Sequence, residues 1–359
     1  MKDKYSESEN AFIALCSACP PNLELIRQKL ASEIDPNAFT EYTFGNKTQI
    51  CREFLIIDVL FGFGFEEDSE HSWGKEYGCR YLPDIIRAFL DAGFDPSLDE
   101  GRAGSQALGN LIFCARDEYL IPAAQILLDA GADPRMMSSR DEPYEDALEM
   151  IRFEASYCHT ESDTHESKIL YQLYEFIRDY LLKRDFGPDV FTFLKACHEH
   201  PVDFGWIEKQ LKNGLDVNAS FTTHTSWGDP YTQFLIHEIL DGFGWYELSV
   251  DQDNGFGCKD LPKLLELLFE YGLDLSLDEE RTGARALYNL ILCKYDEYVL
   301  EAARLLVQHG ANAHIMPHEF SKTVAEYLKD RATENKGYIN PDVKYQKLLD
   351  VIACNEQGN

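Results

Sequence analysis

The chain has 359 residues and carries 63 acidic against 33 basic side chains, a formal net charge of −30 at pH 7. Such a surface repels nucleic acid and anionic lipid and attracts basic partners. A hydrophobic content of 45%, with aromatics spread along the chain, excludes a disordered polar tail and leaves ample apolar material for folded cores.

In chain order, the opening MKDKYSESEN is polar and charged, without the pattern of a secretory signal, so a cytoplasmic location is expected. A helix follows, carrying Cys16 and Cys19. The apolar run FLIIDVLFGFGF at 54–65 is too short to span a bilayer and contains Asp58. An insertion around 65–81 separates it from the next helix, whose apolar Leu82, Ile85, Ile86, Phe89 and Leu90 recur at helical spacing. Pro83 near its start and Gly93 just past its end are the expected punctuation, and Asp95-Pro96 then suits a turn. A polar motif at 97–104, SLDEGRAG, leads into LIFCARDEY at 111–119 and a second helix closed by Ala130-Gly131-Ala132-Asp133-Pro134. Two further helices are expected near 144–157 and 166–183.

The chain then starts again. Residues 261–289 repeat 82–110 with about half the positions identical, LILCKYDEY at 290–298 answers LIFCARDEY, and FLIHEILDGFGW at 234–245 answers FLIIDVLFGFGF. Cys79 aligns with Cys258 and Cys114 with Cys293, which reads as small buried core residues at equivalent positions. Closing helices are expected near 323–334 and 343–354. Internal repetition of this kind marks a helical array in which units bury their apolar faces against neighbours. The expected domains are 1–185 and 186–359, joined at Arg184-Asp185-Phe186-Gly187-Pro188.

Helix, Gly-Ala-Asp-Pro, projecting turn, helix: this order resembles the ankyrin repeat, most clearly over 107–134, ALGNLIFCARDEYLIPAAQILLDAGADP. The resemblance implies an all-α solenoid of stacked antiparallel helix pairs, built from two duplicated modules, with loops on one edge that contact protein partners. The sequence also departs from the family. Gln106-Ala107-Leu108-Gly109 and Arg285-Ala286-Leu287-Tyr288 replace its Thr-Pro-Leu-His opening, and Glu33 stands where Gly214, its counterpart, is the expected helix-ending glycine.

The repeated polar motif contributes Asp99 and Glu100, matched by Asp278 and Glu279. These acids precede a helix, so capping and a local pair with Arg102 or Arg281 compete with partner contact as their role. The insertions set acids around aromatics: Glu66, Glu67, Asp68 and Glu70 with Trp73 and Tyr77 in the first half. In the second half Glu247, Asp251 and Asp253 accompany Trp245 and Tyr246, and Trp227 lies upstream. Rings that anchor and carboxylates that orient suit a basic partner.

Metal binding is not expected. Cys16 and Cys19 lack a second ligand pair and align with Lys195 and His198, while His198 and His200 fall on different helix faces. Cys158, His159 and His165 make no better site. No nucleophile elbow, phosphate loop or His-Glu-x-x-His helix is present; helix termination accounts for Gly62, Gly64, Gly242 and Gly244. The expectation is therefore a non-enzymatic binding protein without a cofactor, an inhibitor or immunity-like protein that covers a basic protein. Rival readings are a mimic of DNA that inhibits DNA-binding proteins, and an effector delivered to a host cell.

Overall fold

A computed structural model describes residues 5–18, 20–43, 50–63, 79–136, 146–161, 165–224, 230–244, 258–293, 297–318, 321–334 and 342–356. It is mostly helical and divides into two compact units, Met1–Tyr180 and Leu181–Asn359. The division falls within a helix a few residues before the sequence-derived boundary.

The first unit contains α1 (Glu7–Cys16), α2 (Leu23–Ser32), the hairpin β1 (Phe39–Thr43) and β2 (Ile50–Phe54), then α3 (Leu55–Phe61), α4 (Leu82–Asp91), α5 (Arg102–Gly109) and α6 (Leu120–Asp129). The helices α7 (Ala147–Glu161) and α8 (His165–Phe186) follow. The second unit repeats this order as α9 (Pro188–His198), α10 (Phe204–Lys212), β3 (Ser220–His224), β4 (Pro230–Phe234), α11 (Leu235–Gly244), α12 (Leu261–Glu270), α13 (Arg281–Leu292) and α14 (Glu297–Gln308). It closes with α15 (Val324–Glu334) and α16 (Asp342–Glu356). The two antiparallel hairpins are the departure from an all-α expectation. Their strands, FTEYT and SFTTH among them, are rich in Thr and aromatics that favour a pleated surface, and helical periodicity does not register them.

Within each unit, helices two apart in the chain lie side by side. In the first, α1 packs on α3, α3 on α5 and α5 on α7, while α2 packs on α4 and α4 on α6. In the second, α9, α11, α13 and α15 make one such series and α12, α14 and α16 another. Helices such as α4 and α12 carry one apolar stripe for this purpose. In α4, Leu82, Ile85, Ile86 and Phe89 are all buried, each contributing about 1.5–3 kcal/mol. Phe12 from α1 meets Phe89 with ring centroids 5.9 Å apart.

The exit turns are built alike. Gly93, Gly131, Gly214, Gly272 and Gly310 take φ between 90° and 100°, and two backbone hydrogen bonds close each helix behind them, as in Phe94 N to Phe89 O at 2.9 Å. The acid or amide that follows accepts from the amide two residues on: Asp95 Oδ1 from Ser97, Asp133 from Arg135, Asp216 from Asn218, Asp274 from Ser276 and Asn312 from His314. Asp35 does the same for Asn37, although Glu33 before it keeps φ at −131°.

Two sequence readings need correction here. Cys16 corresponds to Cys197 rather than Lys195: both are fully buried near the ends of the equivalent helices α1 and α9. Gly242 is no helix terminator, because α11 runs on to Gly244. A Cβ on Gly242 would lie within 2.4 Å of the His198 ring, and one on Gly62 would lie 2.1 Å from Ser17 Oγ. Both glycines let the preceding layer approach.

Candidate functional site

The acidic motif forms an unusual turn in both units. Asp99, Glu100 and Gly101 have φ of 53°, 60° and 88°, and Asp278, Glu279 and Glu280 have 52°, 54° and 68°. Three consecutive left-handed residues, most of them not glycine, are a strained arrangement that persists only where the surroundings impose it. Backbone bonds impose it here, from Gly101 N to Ser97 O at 2.9 Å and from Gly104 N to Pro96 O at 3.0 Å. The second copy matches with Glu280 N to Ser276 O at 3.1 Å and Gly283 N to Leu275 O at 3.1 Å. The acids do not cap the helix that follows; its N-cap positions, Gly101 and Glu280, make no side-chain cap.

The two acids of each turn differ in what they can do. Asp99 is held by Arg102 at 3.4 Å and Arg52 at 3.6 Å, with its side chain 17% exposed, and Asp278 by His318 at 3.2 Å, 24% exposed. Glu100 and Glu279 stand out from the turn with side chains 78% exposed, despite contacts to Arg102 and Arg281. The remaining partner-binding candidates, Glu66, Glu67, Asp68, Glu70, Trp73, Tyr77, Trp227, Trp245, Tyr246, Glu247, Asp251 and Asp253, lie outside the described residues.

The structure adds a polar site that the motif search missed. In the second unit a small open pocket lies between β4, α11, the left-handed turn and the start of α13. Thr232 and Gln233 line it from the hairpin, Asp278, Arg281 and Arg285 from the turn and helix, and His318 from the loop beyond. Behind them runs a buried network. Gln233 Nε2 donates to Glu238 Oε1 at 2.8 Å, Arg285 Nε to Asn289 Oδ1 at 3.1 Å, and Asn289 Nδ2 to the His237 carbonyl at 2.9 Å. His237 Nδ1 accepts from the Phe234 amide at 3.4 Å, and its Nε2 lies 3.1 Å from the Thr282 carbonyl. Burial, with the Arg285 charge nearby, pushes the His237 pKa down to about 3, so the ring is neutral and its Nε2 is the donor to Thr282.

The first unit has Arg52, Glu53, Ile57 and Gln106 at the positions of Thr232, Gln233, His237 and Arg285. Arg52 spans from Glu41 at 3.2 Å to Asp99, and Gln106 Nε2 donates to the Arg52 carbonyl at 2.9 Å. The copies diverge at these positions, and aligning them residue by residue was the signal that exposes the site.

No family model, curated protein or solved structure matches this chain. Among the described residues no group of His, Cys, Asp and Glu is arranged to hold a metal, and no helix is long and apolar enough to cross a membrane. Cys16 is buried and Cys19 lies outside the described residues; His198 Nε2 lies 3.1 Å from the Ile239 carbonyl. The thiols of Cys16 and Cys197 are pushed up, to about 12 for Cys16, by burial. Neither has the thiolate character of a nucleophile or ligand.

Proposed function

We propose that this chain is an ankyrin-like helical-repeat scaffold that binds a basic protein and occludes it, as an inhibitor or immunity-like protein does. The observation that carries the reading is the repeated left-handed turn, which presents Glu100 and Glu279 to solvent at equivalent positions on a chain of net charge −30. Short helices closed by glycine exit turns, in the same order in both units, support the helical-repeat part of the reading. A large excess of negative charge raises encounter rates with a cationic surface, and exposed carboxylates at fixed turns favour one orientation of docking. Catalysis plays no part in this reading.

The test compares the full chain with its Glu100→Lys, Glu279→Lys double variant as baits at low salt, with nuclease added to remove nucleic-acid bridges. One small basic protein held by the wild type, released by salt and lost from the variant is the expected result. A broad set of DNA-binding proteins would favour a mimic of DNA instead. Equal retention by both baits would overturn the role of the turns.

A further inference from the structure

We infer that the exposed ring pair Phe61–Phe113 in the first unit seats an arginine side chain of the basic partner. The inference rests on the basic-partner reading and adds to it the place and the chemistry of one contact.

The pair is held on fixed backbone. Phe61 is the last residue of α3, and Phe113 ends a 3-10 turn, Asn110–Phe113, that continues α5. Ala115 N donates to Phe63 O at 2.7 Å and the Cys114 thiol to Leu60 O at 3.6 Å, which ties the two stretches together. Their neighbours Leu60, Leu111 and Ile112 are buried, whereas the two rings are 49% and 45% exposed with centroids 5.7 Å apart. Single exposed apolar side chains are ordinary, but rings paired on the outside of a packed layer form a small patch of the kind at which partners anchor. The second unit has Asp241 and Leu292 at these positions, so the shared fold does not require the rings.

Charge selects the occupant. A net charge of −30 opposes a second copy of the chain, nucleic acid and anionic lipid. The nearby sequence is acidic too: residues 64–78, which follow Phe63, bring five acids against one lysine, and beyond Phe113 Arg116 is outnumbered by Asp117 and Glu118. A cation with a flat, weakly hydrated face fits such rings. Guanidinium has that face and stacks on aromatics, whereas an ammonium is compact and strongly hydrated. The chain contains the arrangement already: Phe39, 45% exposed, carries the Arg52 guanidinium 4.8 Å from its ring centroid. Among the described residues no cation lies over Phe61 or Phe113.

The experiment titrates the full chain with nona-arginine and with nona-lysine at low salt. Both should bind, with nona-arginine tighter by at least about threefold. The double variant Phe61→Ser, Phe113→Ser should close that gap and leave nona-lysine binding unchanged. Phe61→Leu with Phe113→Leu, which keeps apolar cover without a ring face, should do the same. If the serine variant does not fold, the leucine variant carries the test. Equal affinities in the wild type, or a gap that persists in a folded variant, would overturn the inference and leave the basic-partner reading in place. Binding of neither peptide would overturn both. Sedimentation of the wild type as a dimer that the variants break would give the rings to a second copy, and the arginine assignment would fall.

Discussion

Glu280 holds a left-handed conformation, φ 68°, where the first unit has Gly101 at 88°. A non-glycine residue there carries about 1–2 kcal/mol of local strain. Its side chain returns a little by accepting from Asn312 Nδ2 at 3.0 Å on the exposed surface. Glu280→Gly is therefore expected to stabilise the protein by up to about 1 kcal/mol in urea denaturation, reduced by the extra freedom glycine has when unfolded. Gly101→Ala should do the opposite by a similar amount, because its Cβ would also meet Met136 Cγ at 3.1 Å. His237 gives a pH dependence at the same scale. Its folded pKa is near 3 against an ordinary 6.5, so below 6.5 the unfolded chain takes up a proton that the native chain refuses. The stabilisation is complete above pH 6.5 and is lost as pH falls towards 3, by at most about 1.4 kcal/mol per pH unit. Urea midpoints at pH 6.5 and 4.5 should fall less in His237→Ile, the first unit's residue, than in the wild type. Equal slopes would show that His237 is protonated in the native state.

At the scale of elements, the spacing of layers depends on glycines that do different jobs. A Cβ on Gly104 would lie 2.8 Å from both Ala132 Cβ and Pro96 Cβ, and one on Gly283 would lie 2.8 Å from Ala311 Cα. Here α5 and α13 start against the exit turn of the next helix pair, so Gly104→Ala or Gly283→Ala should destabilise by about 1–3 kcal/mol through overpacking. Gly93→Ala, with nothing within 4 Å, should pay only for its φ of 100°, about 1 kcal/mol. Chemical denaturation of the three variants separates the two mechanisms. Much of this layer was legible in the sequence: helix stops, exit aspartates and the duplicated order all follow from local chemistry that single residues announce. Asn37 shows where legibility ends. Its Nδ2 donates to Gly93 O and its Oδ1 accepts from the Asp95 amide, both at 2.9 Å, and Asn218 repeats the clamp on Gly272 and Asp274. These partners lie more than fifty residues away, so no local pattern points to them. The same holds for the pocket, whose lining comes from four separate stretches of chain. The hairpins were missed for another reason, being short and read through a helical period.

For the whole molecule, the charge of −30 makes salt act in two opposed directions. Like charges distributed over a compact surface repel one another, and screening with a Debye length of about 10 Å at 0.1 M relieves that repulsion. Exposed local pairs such as Arg87 to Asp84 and Lys322 to Asp330 contribute little against it. Added sodium chloride should therefore raise the melting temperature of the chain. The same screening weakens attraction to a basic partner, so affinity for it should fall over the same salt range. Measuring both on one series separates the causes: a partner released while the scaffold grows more stable is released by lost charge attraction and not by unfolding. A melting temperature that fell with salt would mean that local ion pairs outweigh the net repulsion, and the charge argument for partner binding would fall with it.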